Sequence, residues 1–292
     1  MVPEKIQLRR VRTFGDTLND VLQFLKQEFK PLMKGFFLIC GIFLLAAGTL
    51  AGLYYGGAAG IWSTILTGRN ATYYSDTYDS LGIFGVKYFM TLISILLVQL
   101  LVYTYVASYL KVYENNNELT SPTIEETWKI FRRNILPIVF YGIFLSILVG
   151  LGCLFCLAPG VYLGTVFSPF ACIVVMEDDK SLGNVFNRCF SLIKDNFWPC
   201  LGLYIVSWLL SSICAGIVSL VVGGVGGVAS YFTTKDIGSS LGIYTGVSQI
   251  FSAAFSIILY LAIGMQYFNM DEKRNGTGLM ARIQNMNNDA DD

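Results

Sequence analysis

The sequence contains no histidine and few charged residues, and each shortage excludes a class of function. Its 292 residues include 20 basic and 20 acidic side chains, 14% of the total, where a soluble domain has about a quarter. Without histidine the chain lacks the commonest general base and the commonest metal ligand. The net charge of zero gives no electrostatic basis for binding nucleic acid. We therefore expect a membrane protein with no catalytic residues, no metal and no cofactor.

Signals for disulfides and for charges inside the membrane are missing as well. The 7 cysteines are an odd number and most lie in apolar runs, so packing is favoured over a disulfide framework. Cys153 and Cys156 form a C-x-x-C pair, but their apolar neighbours favour packing over a redox or metal role. No ionisable acid or base lies in the middle of a predicted span, which argues against a proton-coupled carrier and an intramembrane hydrolase.

Long uncharged runs predict six membrane spans, since about 20 apolar residues are needed to cross a bilayer. Pro159-Gly160 divides the longest run into two spans joined by a tight turn. The predicted spans are 35–58, 86–111, 135–157, 160–176, 200–228 and 243–268. With six spans, all of the 20 basic residues except Arg69, Lys87 and Lys235 fall on one side. The positive-inside rule then places both termini in the cytoplasm.

A repeated unit organises the chain: an amphipathic helix, a junction containing proline, and a hairpin of two spans. The junctions contain Pro31, Pro137 and Pro199, where we expect the chain to turn from lying in the membrane interface to crossing the membrane. Thr123 and Glu126 have the spacing of a capping box, which predicts the start of the second amphipathic helix. The segments are the amphipathic regions 1–34, 112–134 and 177–199, the hairpins 35–111, 135–176 and 200–268, and a tail, 269–292, expected to be disordered. The predicted fold is an all-α integral membrane bundle of six transmembrane helices.

Aromatic side chains near the junctions predict how the amphipathic helices are anchored. Apolar residues recur at i, i+3, i+4 and i+7, which places them on one helix face. In the first helix this face contains Phe14, Leu18, Val21, Leu22, Leu25 and Phe29. The opposite face contains Asp16, Asn19, Asp20, Gln23, Lys26 and Gln27. The predicted anchors are Phe29, Trp128, Phe131, Phe186, Phe190 and Trp198. Packing of these helices against the inner mouth of the bundle is the alternative interpretation.

Glycines and a few polar residues are the other features within the spans. Glycine recurs at every fourth residue at Gly48, Gly52, Gly56 and Gly60, and at Gly238, Gly242 and Gly246. Small residues at this spacing let helix backbones approach closely, so we expect these segments to pack against one another. Gln99 and Gln249 are candidate substrate contacts, with interhelical hydrogen bonding as the alternative. Glu177, Asp178 and Asp179 form either a cation site or a cap for the third amphipathic helix.

The second hairpin and its flanks resemble a known family. The resemblance is carried by Pro159-Gly160-Val161-Tyr162-Leu163, Phe167, Pro169-Phe170, Val174-Val175-Met176-Glu177, the helix 181–195, Phe197-Trp198 and the stretch 266–274. These residues are similar to the membrane domain fused to some glycerophosphodiester phosphodiesterases and to related bacterial multi-pass inner-membrane proteins. The resemblance implies a six-span, non-catalytic module of the bacterial inner membrane. It does not imply phosphodiesterase activity, because the soluble catalytic domain is not part of this sequence.

These observations predict a non-enzymatic, multi-pass transmembrane protein of the cell inner, or plasma, membrane. Its expected role is to organise lipids or partner proteins through the interfacial helices on the cytoplasmic face. The alternative hypothesis is a transporter or export factor for a small or lipidic substrate. A third hypothesis is an enzyme acting on lipid headgroups, for which residues 177–179 are the candidates. The oligomeric state is not predicted.

Overall fold

The protein is built from helices of very different lengths. The computed structural model describes residues 5–67, 74–116, 121–235, 237–276 and 280, with their side chains except at 56–84, 234, 237 and 239. These residues form α1 (Phe14–Thr67), α2 (Tyr74–Asn115), α3 (Ile124–Phe155), α4 (Leu157–Phe167), α5 (Phe170–Met176), α6 (Leu182–Ile193), α7 (Phe197–Thr234) and α8 (Ile237–Asn275). They contain no strand, so the predicted all-α fold is confirmed.

Six helical stretches are long and apolar enough to cross a membrane. They are Phe14–Tyr55, Gly85–Asn115, Ile124–Phe155, Leu157–Met176, Phe197–Thr233 and Ser240–Asn275. Helices satisfy their backbone hydrogen bonds internally, which is the condition for crossing hydrocarbon. The chain is therefore a multi-pass membrane protein.

Two of the three junction prolines lie inside continuous helices, so the turns predicted there are wrong. Pro31 lies within α1 and Pro137 within α3. A membrane helix tolerates an interior proline when neighbouring groups satisfy the backbone around it. The first two amphipathic segments are therefore the beginnings of α1 and α3 rather than separate helices.

The starts of α3 and α7 lie where the sequence predicts them, because a capping box defines the first and a proline in the first turn defines the second. The capping box predicted for α3 is confirmed: the Glu126 amide donates to Thr123 Oγ1 (3.4 Å), and the Thr123 amide donates to Glu126 Oε2 (3.3 Å). α7 begins at Phe197 after a turn at 194–196. Pro199 lies in the first turn of α7, where a helix uses no amide proton. The third junction therefore contains the break that the sequence predicts.

The turn of the second hairpin lies at Cys156, three positions before the predicted site. Cys156 has an extended backbone (φ −168°, ψ 146°) between α3 and α4, whereas Pro159 falls in the first turn of α4. A proline there interrupts nothing, because first-turn amides have no partner within the helix. Gly160 serves packing instead, since a Cβ at this position would lie 2.8 Å from the Cys153 backbone nitrogen.

The structure also differs from the predicted bounds of the fourth span and of the C-terminal tail. The span predicted over 160–176 is two helices, α4 and α5, separated at Ser168 and Pro169. Proline has no amide proton to continue the helix, so a new helix starts at the following residue. The start of the predicted tail 269–292 is helical, because α8 continues to Asn275. Beyond residue 276, apart from residue 280, that tail lies outside the described residues.

The helices form two compact units, and the first contains the charged ends of the chain. It comprises Met1–Phe36, Tyr103–Leu209 and Ile257–Asp292. The largest of its fully buried side chains are aromatic and aliphatic, and they include Phe24, Leu32, Tyr105, Tyr109, Leu110, Ile173, Ile193, Leu203, Tyr267 and Phe268. Ring packing joins α1 to α2, with the centroids of Phe24 and Tyr113 4.8 Å apart in a T-shaped pair.

The second unit is held together by close approaches of helix backbones at glycine. It comprises Phe37–Val102 and Leu210–Ser256. A Cβ at Gly52 would lie 2.7 Å from the carbonyl oxygen of Gly242. A Cβ at Gly48 would lie 3.0 Å from the carbonyl oxygen of Gly246. α1 and α8 therefore touch backbone to backbone, the kind of contact that glycine at every fourth residue permits.

One further glycine lies at a close approach between helices, and the surroundings of two of the predicted glycines are not described. A Cβ at Gly227 would lie 3.0 Å from the carbonyl oxygen of Ser240, so α7 and α8 also approach closely. Gly238 is buried. Gly56 and Gly60 lie outside the residues whose side-chain surroundings are described.

Candidate functional site

The segment before α1 is fixed against the first unit by contacts with distant parts of the chain. Ile6 and Leu8 are buried. The Ile6 amide donates to the Tyr113 hydroxyl (3.1 Å), and the Arg12 amide donates to Asn269 Oδ1 (2.9 Å). Residues 5–13 therefore contact the last turns of α2 and α8.

A buried ion pair closes this segment onto α1. The Arg12 and Asp20 side chains are almost fully buried, and Arg12 Nε lies 2.7 Å from Asp20 Oδ2. The Arg10 guanidinium pairs with the same carboxylate at 2.8 Å. Burial lowers the pKa of the Arg12 guanidinium, and the hydrogen bond to Asp20 opposes that shift. A buried carboxylate is tolerated only when it is paired in this way.

The side of α1 that faces the interior agrees only in part with the apolar face that the sequence predicts. Val21 of that face is fully buried, but Phe14, Leu22 and Phe29 are exposed, and the acidic residues Asp20 and Glu28 are buried. The burial of Glu28 is stabilised by the Tyr109 hydroxyl, which donates to Glu28 Oε2 at 2.6 Å. Partners elsewhere in the chain thus allow two acidic side chains of α1 to be buried, which hydropathy alone does not predict.

Asp271 connects the largest group of ion pairs in the described part of the chain. Its Oδ2 lies 2.6 Å from Arg9 Nη1, and its Oδ1 lies 2.7 Å from Arg188 Nη2. Arg9 also pairs with Glu114 (2.5 Å), and Arg188 also pairs with Glu177 (2.8 Å). Burial disfavours the charged form of Arg9, but its two carboxylate partners together raise its pKa. The network joins the N-terminal segment, α2, α6 and α8.

Sequence reasoning missed this network because its members are far apart in the chain. Arg9 and Asp271 are separated by 262 positions, so no local spacing links them. The available signal was positional: an arginine cluster precedes the first apolar run, and Asp271-Glu272 follows the last one. Charges at the two ends of a chain whose termini share one side are candidates for pairing.

The acidic residues after α5 have two roles: Glu177 forms an ion pair, and Asp179 accepts a hydrogen bond at the start of α6. Glu177 belongs to the Asp271 network through Arg188. Asp179 Oδ1 accepts a hydrogen bond from the Ser181 amide (3.0 Å) just before α6, and this bond lowers the pKa of Asp179. Among the described residues, no cluster of three or more histidine, cysteine, aspartate or glutamate side chains could hold a metal ion.

Three of the six predicted anchors are exposed, one at each junction. The exposed fractions are 52% for Phe29, 45% for Trp128 and 77% for Trp198. Phe29 and Trp128 each have an exposed cation three or four positions away on the same helix, Lys26 and Arg132, and residues at this spacing share a helix face. For Trp198 the exposed cation is Lys194, which lies in the turn just before α7. Aromatic rings beside basic side chains are typical of the boundary between membrane and water. These three pairs are called the junction surfaces below.

The other three predicted anchors pack inside the first unit. Phe131 is buried. The rings of Phe186 and Phe190 lie against Phe167, with centroids 5.2 Å and 5.6 Å away. For these residues the structure agrees with the alternative interpretation, in which the amphipathic helices pack against the bundle.

The polar residues proposed as substrate contacts are both in the second unit. Gln99 and Gln249 are half-buried, and their role in binding a substrate stays a prediction. Gln266, in the first unit, is buried and donates to Cys200 Sγ at 3.4 Å. Cys153 and Cys156 are exposed and free.

Fold and site together define the class: a multi-pass helical membrane protein whose N-terminal segment is fastened by ion pairs to its last helix. Comparisons of the chain with protein-family models, with curated proteins and with solved structures found no match. The resemblance to the phosphodiesterase-associated membrane domain therefore stays a prediction.

Proposed function

We propose that this protein is a non-enzymatic membrane module that organises lipids or partner proteins at the cytoplasmic face of the cell inner membrane. The observation that carries the proposal is the exposed aromatic ring and cation on each of the three junction surfaces. Aromatic rings settle at headgroup level, and nearby cations attract the anionic lipids of the cytoplasmic leaflet. The concentration of basic residues on one side of the predicted topology supports that orientation.

The surface on α1 has exposed cations and no exposed acid over residues 22–34, whereas the cations near Trp128 lie close to the exposed Glu125 and Glu126. Lys26, Lys30 and Lys34 recur at every fourth residue and are all exposed. This spacing places them along one side of the helix, beside the exposed ring of Phe29. Near an anionic membrane surface each lysine contributes about 1 kcal/mol, so three contribute about 3 kcal/mol. We infer that α1 supplies most of the preference for anionic lipid.

The test measures lipid retention by native mass spectrometry after purification in mild detergent. Wild-type protein is mixed with equal amounts of phosphatidylglycerol and phosphatidylcholine. We expect Lys26→Gln, Lys30→Gln, Lys34→Gln in one chain to lower the preference for phosphatidylglycerol at least tenfold. The matched control replaces the same three lysines with arginine, which keeps the charge and should keep the preference.

Substitution is a sharper test than removal of residues 1–30. Such a truncation also removes Arg9 and Arg12 and so breaks the ion pairs of the first unit. The proposal fails if the wild-type protein shows no headgroup preference and carries no partner protein through purification.

A further inference from the structure

A groove on the first unit lies between α4, α7 and α8 and has a volume of about 330 Å³. Its walls include Val161, Ser168, Tyr204, Trp208, Leu259 and Ile263. Trp208 is 57% exposed and Val161 is 41% exposed, so the groove opens on the surface of the unit. The volume lies at the lower end of the range for small-molecule sites, about 300–1,000 Å³. Because these helices cross the membrane, the groove opens toward lipid.

The groove is polar at one end and apolar at the other. Along α7, Tyr204 lies about 10 Å from the helix start and Trp208 about 16 Å from it. Along α8, Ile263 precedes Asp271 by about 12 Å and Leu259 by about 18 Å. The hydroxyls of Tyr204 and its neighbour Ser168 are therefore nearer the charged end of the unit, whereas the deeper walls are apolar.

The Tyr204 hydroxyl makes no hydrogen bond within the described part of the chain. Its side chain is only 9% exposed. The nearest polar groups are the Ser168 hydroxyl, which donates to the Thr165 carbonyl (2.8 Å), and the Cys200 thiol, which donates to the Met270 sulfur (3.5 Å). Neither is placed with the geometry of an acceptor for the Tyr204 hydroxyl. Buried hydroxyls nearly always have a partner, so this one calls for an acceptor from a ligand.

We propose that the groove binds one acyl chain of a diester phospholipid, with the ester carbonyl accepting a hydrogen bond from Tyr204. The polar and apolar parts of a phospholipid match the two ends of the groove. The ester carbonyl, a hydrogen-bond acceptor, lies near the headgroup, and the apolar acyl chain lies below it. The headgroup lies outside the groove, so the site distinguishes ester linkage rather than headgroup charge. The proposal does not depend on the junction surfaces.

The test compares two phosphatidylcholines of equal chain length, a diester and its diether analogue, which lacks the carbonyl. Each is added to the detergent-purified protein, and bound lipid is measured by native mass spectrometry. We expect wild-type protein to retain the diester about fivefold better, the effect of one hydrogen bond. Tyr204→Phe should retain both lipids equally. Tyr231→Phe, the same change at an exposed tyrosine of α7, should keep the ester preference.

Two results overturn the proposal: equal retention of the two lipids by wild-type protein, or an ester preference that persists in Tyr204→Phe. If Tyr204→Phe does not fold, Trp208→Ala at an exposed position gives a second test. It removes a deep wall and should lower retention of both lipids without changing their ratio, and unchanged retention contradicts the site. The lysine-to-glutamine variant should keep the ester preference, so this proposal and the proposed function fail separately.

Discussion

Asp271 is the carboxylate shared by two ion pairs of the first unit. Its side chain is 7% exposed and binds Arg9 and Arg188, which come from different parts of the chain. Removing one partner of a buried pair leaves an uncompensated charge, at a cost of about 3–5 kcal/mol. Both arginines are partly exposed and keep a second carboxylate, so the lower end of that range applies here.

We therefore expect Asp271→Asn to lower the free energy of unfolding by about 3 kcal/mol. This corresponds to a fall in Tm of roughly 5 °C for a chain of 292 residues, measured by thermal unfolding in a single detergent. Asp178→Asn is the matched control, because Asp178 is an exposed acid outside the network. Its Tm should stay within about 2 °C of the wild type. Equal shifts in the two variants would show that the network contributes no more than a surface charge.

In the second unit, the effect of replacing a glycine of α1 with alanine depends on how close the neighbouring helix lies. A Cβ at Gly52 would lie 2.7 Å from a backbone oxygen, which has no flexible side chain to move aside, whereas nothing lies within 4 Å of a Cβ at Gly41. We expect Gly52→Ala to lower the stability by about 2 kcal/mol through overpacking. Gly41→Ala on the same helix should leave Tm unchanged or slightly higher, since alanine favours a helix. Thermal unfolding of both variants checks this, and a Tm for Gly52→Ala equal to that of Gly41→Ala would contradict the close approach.

At the scale of elements, the two continuous helices α1 and α3 change how the junctions work. The sequence identifies where helices start when a local signal exists, as Thr123 and Glu126 do for α3. It does not identify whether Pro31 or Pro137 ends a helix, because that depends on what the neighbouring helices offer the backbone. A proline is visible in the sequence, but whether it ends a helix depends on contacts with residues far away in the chain.

The continuity of α3 can be measured as a distance. Spin labels at Glu125→Cys and Ile147→Cys, both exposed and on opposite sides of Pro137, should be about 33 Å apart in one straight helix. A right-angle turn at the proline would bring them to about 23 Å. Pulsed electron spin resonance in a cysteine-free background distinguishes these values. Pro137→Ala is the control and should leave the distance unchanged.

At the scale of the whole molecule, membrane crossing was predictable and the internal pairing was not. Six apolar stretches are visible in the sequence because hydropathy is a sum over neighbouring residues. The burial of Asp20 and Glu28 on α1 was not predicted, because it depends on Arg12 and Tyr109. Only three-dimensional proximity supplies such partners. For the same reason, no sequence pattern marks the groove beside Tyr204.

The orientation predicted from basic residues is tested by cysteine labelling. In a cysteine-free background, Ser75→Cys should react with a membrane-impermeant maleimide from outside intact cells. Asn116→Cys should react only after permeabilisation, because the positive-inside rule places residue 116 in the cytoplasm. Labelling of both positions from the same side would exclude the six-span arrangement with cytoplasmic termini.

The pairing of Arg9 with Asp271 also has a consequence in time. A ribosome adds about 5–20 residues per second, so the 262 positions between them take about 13–50 s to synthesise. During that interval the N-terminal segment has no Asp271 to bind. Until the last helix has been made, only contacts with α1 and α2, such as the pairing of Arg12 with Asp20 and of Arg9 with Glu114, can hold the segment. The pairing with Asp271 is therefore among the last contacts of this segment to form.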